Sequence, residues 1–312
     1  MEMRPPGGGS SAIAADPWRL IAPGHAWNEL VLPDRQRESL RAIADGLPTQ
    51  SNGGGWSSAN SSGVLVLFAG PVGTGKSMAA RIIGAQLRVP ILEVDTTALG
   101  AGDRSGLEHT IGRVFATARA QNAILFFEQA DALLSERPLP SARPPRPGTL
   151  TAPDLFDRAE RHAGLVIFAS TLRGKIDPAY RTRFSSVIEF PFPDREGRER
   201  IWRQLLPPDA RLTQSDVEDL ASSFQLPGAT IAGCVLTAVA AADEQHAPVT
   251  LLDVAAAVQA EYRRRLASES TLRAVSGLIA RARASRPESS RPRDLDRGAS
   301  NGAPPAPGPI EV

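Results

Sequence analysis

Short, mostly apolar runs recur along the middle of the chain and alternate with segments in which apolar residues follow helical spacing. The first run, VLVLFA, contains no polar residue. Runs of this kind are typical of strands that are covered on both faces. They predict strands at Val64–Ala69, Ile91–Val94, Ala123–Phe127, Leu165–Ala169 and Val187–Phe190.

The segments between these strands predict helices, and their order predicts the architecture. Strands that alternate with helices form βαβ units with right-handed crossovers, which gives an α/β fold with a parallel sheet between two helical layers. From Asp194 onward only helical patterns occur, which predicts a C-terminal all-α subdomain. The predicted helices are Lys76–Leu87, Leu107–Ala120, Ala152–His162, Arg195–Leu206, Ser215–Phe224, Thr230–Ala242 and Thr250–Leu266.

The two ends of the chain and one internal stretch differ in composition from this core. Residues 1–16 are rich in Gly, Pro and Ala, and residues 267–312 end in a Pro, Arg, Ser and Gly-rich run, so both are expected to be largely disordered tails. Residues 17–63 combine a short helical segment with a flexible linker of Gly, Ser and Asn. The predicted units are therefore 17–63, the α/β domain 64–193 and the helical subdomain 194–266.

Composition and charge argue against several classes of protein. With 42% hydrophobic residues in 312 positions, the chain can bury an ordinary globular core. Its net charge of +1 gives no reason to expect a nucleic-acid partner. No apolar run reaches the roughly 20 residues of a membrane span and no secretory signal is apparent, so we expect a cytoplasmic protein without membrane contact. Cys234 lies in an apolar helical pattern and is expected to be a buried, inert thiol.

The strongest motif is GPVGTGKS, between the first predicted strand and the helix after it. It matches the phosphate-binding P-loop pattern G-x-x-x-x-G-K-[ST] in the required context. The glycines let backbone N–H groups face phosphate oxygens, and the helix start adds the positive end of its dipole. Lys76 is expected to reach the β and γ phosphates of ATP, and Ser77 to bind Mg²⁺. The predicted nucleotide-binding residues are Gly70, Pro71, Val72, Gly73, Thr74, Gly75, Lys76, Ser77 and Met78.

Two polar residues, Glu128 and Gln129, follow the strand Ala123–Phe127. In nucleotide hydrolases an acidic residue here supports Mg²⁺ through water, and a second one polarises the attacking water. Glu128 keeps the first charge and is a candidate for holding the metal together with Ser77. Gln129 is neutral and can orient a water molecule but cannot take its proton. The alternative is that hydrolysis is retained with Gln129, since some nucleotide hydrolases position water with Gln.

Six segments carry a common pattern: WNELVLP, LFAGPVGTGKS, ILFFEQADALL, GLVIFAS, IDPAYRTRF and EFPFPD. Together they resemble the AAA-type ATPases, and more narrowly the ATPase found with phage-tail-like contractile injection systems. The resemblance extends from about Trp27 to Leu266. It implies a ring, usually of six subunits, with nucleotide at each interface. We therefore expect an oligomer, either of this chain alone or mixed with a paralogue.

Compared with that family, the chain departs from the pattern mainly at residues of the hydrolytic machinery. The family pattern LFFDEAD is changed at both Glu128 and Gln129. The residue that helps to place the water is usually Asn, and Thr171 stands there. The substrate-gripping position, usually aromatic or bulky and apolar, is Asp103. The second nucleotide sensor, usually Arg, is Ala232.

Two arginines, Arg181 and Arg183, stand near the place of the family's trans-acting arginine pair. The resemblance implies that Arg183 reaches the γ-phosphate of a neighbouring subunit as an arginine finger. The alternatives are a solvated arginine on a surface turn or, with Arg173 and Lys175, a general basic patch. Nearby, Glu136–Leu150 replaces an inward-facing loop of the family with a Pro and Arg-rich stretch, expected to be an irregular arm that binds a partner or is a surface insertion.

Two functions remain. The favoured one is an AAA-type, ATP-binding protein that hydrolyses ATP weakly or not at all. It would be a nucleotide-gated structural or regulatory subunit. The alternative is an active ATPase that remodels or disassembles a protein complex such as a contractile injection system. The first is favoured because the P-loop is complete whereas the hydrolytic positions are changed. The candidate catalytic residues are Glu128, Gln129, Thr171, Arg181 and Arg183.

Overall fold

A computed structural model of the protein describes residues 16–47, 63–99, 104–134, 152–171, 176–264 and 275–281. Its strands are β1 (Trp18–Ile21), β2 (Val64–Ala69), β3 (Ile91–Asp95), β4 (Ile124–Glu128), β5 (Leu165–Ser170) and β6 (Ser186–Glu189). They form one six-stranded sheet with the spatial order β1-β3-β4-β5-β2-β6. All five strands predicted from the apolar runs are present, with ends shifted by one residue or so.

Five of the strands, from β3 to β6 in spatial order, pair in parallel. This confirms the predicted α/β fold with a parallel sheet. The exception is β1, which pairs antiparallel with β3 at the sheet edge. The pattern of apolar runs does not predict β1, because WRLI is short, carries a central arginine and is only partly buried. An edge strand of this kind has no continuous apolar run by which it could be recognised.

The predicted helices are all present, and short helical turns are added between them. The helices are α1 (Asp34–Gly46), α2 (Lys76–Leu87), α3 (Thr96–Leu99), α4 (Arg104–Ala120), α5 (Asp131–Leu134), α6 (Ala152–Glu160), α7 (Pro178–Arg181), α8 (Arg195–Leu205), α9 (Gln214–Ser223), α10 (Gly228–Glu244) and α11 (Leu251–Arg264).

The two faces of the sheet carry two separate hydrophobic cores. Helices α1 and α2 cover one face, and α4 and α6 cover the other. Because successive residues of a strand point to opposite faces, a strand that is apolar at every position contributes to both cores. Phe126, Phe127 and Phe168 are at most 1% exposed. On the α6 face the rings of Phe127 and Phe156 stack on either side of Phe168, with centroid distances of 5.0 and 5.1 Å.

Helices α8 to α11 enclose a third core around Trp202 and Phe224, both fully buried. Cys234 is 4% exposed in this core, which confirms the prediction of a buried thiol. Residues 275–281, which the sequence analysis assigned to the C-terminal tail, are helical. Val275 and Leu278 are buried in the same core, since a spacing of three places them on one helix face. The predicted, largely disordered tail therefore contains one packed helical stretch.

Several predicted features lie outside the described residues. They are the N-terminal tail up to residue 15, the linker part 48–62, Asp103 of the predicted gripping loop, the arm Glu136–Leu150, the basic residues Arg173 and Lys175, and the tail from residue 282. Among the helices in the described part of the chain, none combines the length and the apolar character that a membrane crossing requires.

Candidate functional site

The loop Gly70–Ser77, here called the phosphate loop, joins the carboxyl end of β2 to the start of α2. Two of its glycines are required by the geometry. A Cβ atom on Gly70 would lie 2.1 Å from the carbonyl oxygen of Phe190, so no side chain fits there. Gly75 precedes α2 with a φ of 100°, in the region that favours glycine. Thr74 fixes the turn because its Oγ1 donates to the carbonyl of Pro71 at 2.8 Å.

Lys76 places its ammonium group at the centre of this loop. Its Nζ donates to the carbonyl oxygens of Gly70 and Pro71, at 2.6 and 2.7 Å. Burial lowers the pKa of Lys76, and the negative charges of Asp131 and Glu128 oppose that shift. The loop therefore holds a cation beside the N-terminus of α2, where the helix dipole also favours an anion.

A cavity of about 520 Å³ opens above the phosphate loop. This volume is in the range of small-molecule sites. Its walls come from the segment before α1, the phosphate loop through Met78, the ends of β4 and β5, α8 and the start of α10. Apolar residues such as Leu30, Ile201 and Leu205 line it together with Lys76 and Ser77. The cavity thus combines apolar surface with a cationic and a hydroxyl group.

Glu128, the last residue of β4, points at the phosphate loop. Its Oε1 accepts a hydrogen bond of 3.0 Å from Ser77 Oγ. Burial raises the pKa of Glu128, the charge of Glu93 raises it further, and the hydrogen bond from Ser77 opposes the shift. The structure thus brings together the two residues predicted to hold a metal. A hydroxyl and a carboxylate are hard oxygen donors, which fit Mg²⁺.

Gln129 follows β4 and lines the same cavity. Its φ is 52°, an uncommon value for a residue other than glycine. Thr96 holds this backbone because its Oγ1 donates to the carbonyls of Glu128 and Gln129, both at 2.7 Å. The position is therefore fixed at the site, and the side chain that occupies it is a neutral amide.

Asp131 is a residue of this region that the sequence analysis missed. Its Oδ1 accepts from Ser170 Oγ at 2.6 Å and from the backbone N–H of Thr171 at 2.7 Å. Its Oδ2 accepts from Thr171 Oγ1 at 3.1 Å. Asp131 therefore ties the ends of β4 and β5 together. The signal was present in the sequence as a further carboxylate three positions after Glu128.

The other two predicted positions near the nucleotide also lie in the cavity wall. Thr171, predicted to help place a water molecule, lines the cavity at the end of β5. Its hydroxyl is bound to Asp131, so its orientation is set by that carboxylate. Ala232 on α10 lines the cavity as well, and supplies no charge where the resembled family has an arginine.

The two predicted trans-acting arginines have different surroundings. Arg183 Nε donates to Glu160 Oε1 at 2.6 Å, and its Nη2 contacts Glu160 and Asp157. The guanidinium also lies 5.3 Å from the ring centroid of Phe156, and these carboxylates raise the pKa of Arg183. Its side chain is 24% exposed and bound to its own chain, not solvated. Arg181 is exposed at the end of α7, and neither arginine lines the cavity.

Comparison with known proteins identifies the domain. Residues 66–192 match the model of the "ATPase family associated with various cellular activities (AAA)". Fidgetin-like protein 1 of Drosophila melanogaster is 34% identical over 149 residues, which cover 45% of this chain and 28% of that protein. The ATPase family gene 2 protein of Schizosaccharomyces pombe is 30% identical over 177 residues, 54% of this chain and 22% of that protein. The chain thus spans about a quarter of the length of these relatives.

The solved structure of the FIGL-1 AAA domain in complex with ADP has a similar fold. It superimposes with a TM-score of 0.58 at 20% identity and covers 86% of this chain and 94% of that one. At this identity the likeness shows the fold alone, and it agrees with the predicted P-loop αβα architecture. The family match shows that residues 66–192 form an AAA ATPase domain, and its sequence is similar to that of fidgetin-like protein 1.

Proposed function

We propose that this chain binds ATP together with Mg²⁺ and hydrolyses it weakly or not at all. It works as a nucleotide-gated structural or regulatory subunit. The observation that carries the proposal is a contrast within one cavity. The phosphate loop presents Lys76 and Ser77, whereas the residue after β4 that lines the same cavity is Gln129. The residues of the cavity thus favour nucleotide binding, whereas Gln129 argues against efficient hydrolysis.

Nucleotide binding is supported by the charge and shape of the cavity. Phosphate oxygens would replace the carbonyls of Gly70 and Pro71 as partners of the Lys76 ammonium. The base and sugar would occupy the apolar part near Leu30 and Ile201. Ser77 would bind Mg²⁺ directly and Glu128 through water, as their hydrogen bond already brings them together. The metal, when bound, neutralises charge on the phosphates.

Weak hydrolysis is supported by the state of the carboxyl groups around the site. Gln129 cannot accept a proton. Glu128 is hydrogen-bonded to Ser77, and Asp131 accepts three hydrogen bonds from Ser170 and Thr171. Neither of these two carboxyl groups, of Glu128 and Asp131, takes the position of Gln129. Loss of a positioned base typically lowers a rate by about 10²- to 10⁴-fold.

A second candidate is the active ATPase that remodels or disassembles a protein assembly. One observation favours it: Thr171 is hydrogen-bonded to Asp131 and lines the cavity together with Gln129. A glutamine and a hydroxyl can together orient a water molecule. The narrower resemblance, to ATPases of contractile injection systems, rests on the sequence segments alone and provides one hypothesis for the assembly.

We also propose that the subunit acts in a ring, made of this chain or shared with a paralogue. The exposed Arg181 is the better candidate for a residue that acts on a neighbour's nucleotide. Arg183 would first have to leave Glu160 and Asp157. The division into units 17–63, 64–193 and 194–266 belongs to the same proposal, with the nucleotide between the second and third units.

Steady-state phosphate release with Mg·ATP tests the choice between the two functions. Lys76→Ala serves as the blank, and the double variant Glu128→Asp/Gln129→Glu restores two carboxylates to the site. We expect the wild type to be close to the blank and the double variant to be active. Wild-type turnover clearly above the blank would instead establish the active ATPase. Equal nucleotide affinity of the wild type and Lys76→Ala would contradict both functions.

A further inference from the structure

Residues 22–33, here called the N-terminal wall, run between β1 and α1 and form one wall of the cavity above the phosphate loop. His25, Glu29, Leu30 and Val31 line the cavity. The N-terminal wall contains neither a helix nor a strand. The backbone hydrogen bonds of a helix or a sheet therefore do not fix its position. Its side chains and its contacts with neighbouring elements must hold it in place.

Trp27 lies in the middle of the N-terminal wall but is not one of the residues that line the cavity. Its side chain packs, partly buried, against the hydrophobic core beneath α1 and α2. Its Nε1–H donates to Oε1 of Gln86 on α2 at 2.9 Å. The indole thus ties the wall to the helix whose first residues are Lys76 and Ser77.

Helix α1 holds the other side of this contact. The Nε2 of Gln86 donates to Oδ1 of Asp45 at 2.5 Å. Because an indole N–H only donates and a carboxylate accepts, the two bonds together fix the orientation of the Gln86 amide. Arg41, one turn before Asp45, lies with its guanidinium carbon 5.3 Å from the Trp27 ring centroid, within the range of cation–π contacts. Trp27, Gln86, Asp45 and Arg41 are here called the Trp27 anchor.

The wall residues after Trp27 contact both the phosphate loop and the helical subdomain. Leu30 is 3% exposed, and its Cδ1 lies 3.0 Å from where a Cβ atom on Gly75 would be. The carbonyl oxygen of Asn28 accepts a hydrogen bond of 2.7 Å from Nε2 of Gln204 on α8. Gln204 itself lines the cavity. The position of the wall therefore sets the shape of the cavity between the loop and α8.

We propose that Trp27 is a positioning residue for the nucleoside part of the bound nucleotide: with Gln86 and Arg41 it holds the cavity-lining residues on either side of it in place. The inference rests on the proposed binding of ATP in this cavity. The triphosphate would bind to the phosphate loop, whose internal hydrogen bonds do not involve Trp27. The base and sugar would contact the wall. A wall without its anchor would have to be ordered when the nucleotide binds, which lowers affinity.

Calorimetric titrations with ATP and with inorganic tripolyphosphate, in the same Mg²⁺ buffer, test the inference. Tripolyphosphate carries the phosphates without the base and sugar. Trp27→Leu should lower ATP affinity about 10-fold, because a hydrogen bond and a cation–π contact of the wall are lost. Its affinity for tripolyphosphate should stay within about 2-fold of the wild type, because the hydrogen bonds of the phosphate loop are unchanged.

Trp18→Leu is the matched control. Arg113 lies 4.7 Å from the Trp18 ring centroid, so this variant also removes an indole ring that contacts an arginine. Trp18 belongs to the edge strand β1, whose four residues do not line the cavity. This variant should bind both ligands as the wild type does.

The hydrogen bond between Trp27 and Gln86 has its own test. Trp27→Phe keeps an aromatic ring beside Arg41 and removes only the N–H donor, so ATP affinity should fall about 3-fold. Gln86→Leu removes the acceptor of the same bond and should lower ATP affinity by a similar factor. Because both changes remove one interaction, the double variant should lose no more affinity than either single variant.

The outcomes separate this inference from the proposed function. Wild-type ATP affinity in Trp27→Leu would overturn the inference, and so would a loss that ATP and tripolyphosphate share equally or that Trp18→Leu shows as well. If Trp27→Leu does not fold, Trp27→Phe and Gln86→Leu decide, since Gln86 is exposed on α2. Additive losses in their double variant would overturn the inference. A wild type that binds neither ligand would overturn the proposed function itself.

Discussion

The phosphate loop and the turn Glu128–Asp131 reach the same cavity from the two sides of β5, but they depend on different kinds of atoms. The loop presents backbone N–H groups and one ammonium, and its shape follows from where glycine is required. The turn after β4 depends on the chemistry of single side chains. In this protein the loop carries the full P-loop pattern, whereas the turn carries the neutral amide Gln129 after Glu128.

Under the proposed function, binding and hydrolysis of a nucleotide are separated within one fold. Binding uses many weak donors around a cavity, so no single exchange at the β4 end removes it. Hydrolysis needs a group that accepts a proton at one point. Exchanging one carboxylate oxygen for nitrogen at position 129 removes that ability without changing the shape of the site.

The largest effect is expected from restoring the base alone. Gln129→Glu should raise the rate of phosphate release by about 100-fold or more, since a positioned base supplies about 10²- to 10⁴-fold. Nucleotide affinity should change little. The control is Gln121→Glu, which adds the same charge in the turn after α4. Equal rates for both variants, measured by a coupled phosphate assay, would show that position 129 does not limit hydrolysis.

The second effect concerns the loop. Lys76→Ala should weaken ATP binding by about 10- to 150-fold, because hydrogen bonds to charged groups contribute about 1.5–3 kcal/mol. Calorimetric titration checks it. Arg81→Ala, on the same helix but outside the cavity wall, is the matched control. If the two variants lose affinity alike, the loop is not the binding site and the comparison between the two regions fails.

A smaller effect is expected at the link between β4 and β5. Asp131→Asn disturbs the hydrogen bonds to Ser170 and Thr171. In the Glu128→Asp/Gln129→Glu background it should lower phosphate release about 10-fold, roughly the free energy of one such bond. Affinity should change by less than about 3-fold. The exposed Asp209→Asn is the control, and a larger loss of binding than of turnover would contradict the separation.

The smallest effect on either region is expected from His162, in the turn before β5. It is 1% exposed, and in the described structure neither ring nitrogen has a hydrogen-bond partner. Burial lowers its pKa from 6.5 to about 4, with the charge of Arg119 as a lesser cause. As the pH falls, His162 therefore binds a proton at a higher pH in the unfolded chain than in the folded one. Stability is complete above about pH 6.5 and is lost, by up to about 3 kcal/mol, as the pH falls toward 4.

Chemical denaturation at pH 7.5 and pH 5 measures this acid loss. His162→Leu should remove about 2 kcal/mol of the destabilisation at pH 5, because no buried imidazole has to be protonated. ATP affinity at pH 7.5 should remain that of the wild type. His109→Leu, exposed on α4, is the control. If His162→Leu and the wild type show the same pH dependence of stability, groups other than His162 cause the loss of stability in acid.

Much of the fold was predictable because its signals are local. Each buried strand of the parallel sheet is an apolar run, and each long helix has its own apolar face. That Ser77 and Glu128 lie at the same edge of the sheet was also predictable, since parallel strands bring their carboxyl ends to one edge, but the hydrogen bond between them was not. The pairing of Arg183 was not predictable, because its partners Asp157 and Glu160 lie on α6, and only packing brings them within reach.

The sequence by itself determined the elements of the sheet and the phosphate loop, since apolar runs and the spacing of Gly, Lys and Ser are encoded within a few residues. The tertiary structure decided which side chains meet around that loop. The contact of Arg19 with Glu93 joins residues 74 positions apart, and that of Ser77 with Glu128 joins residues 51 apart. No local pattern specifies such a pair. It arises because the order of the strands places distant residues on one face of the sheet.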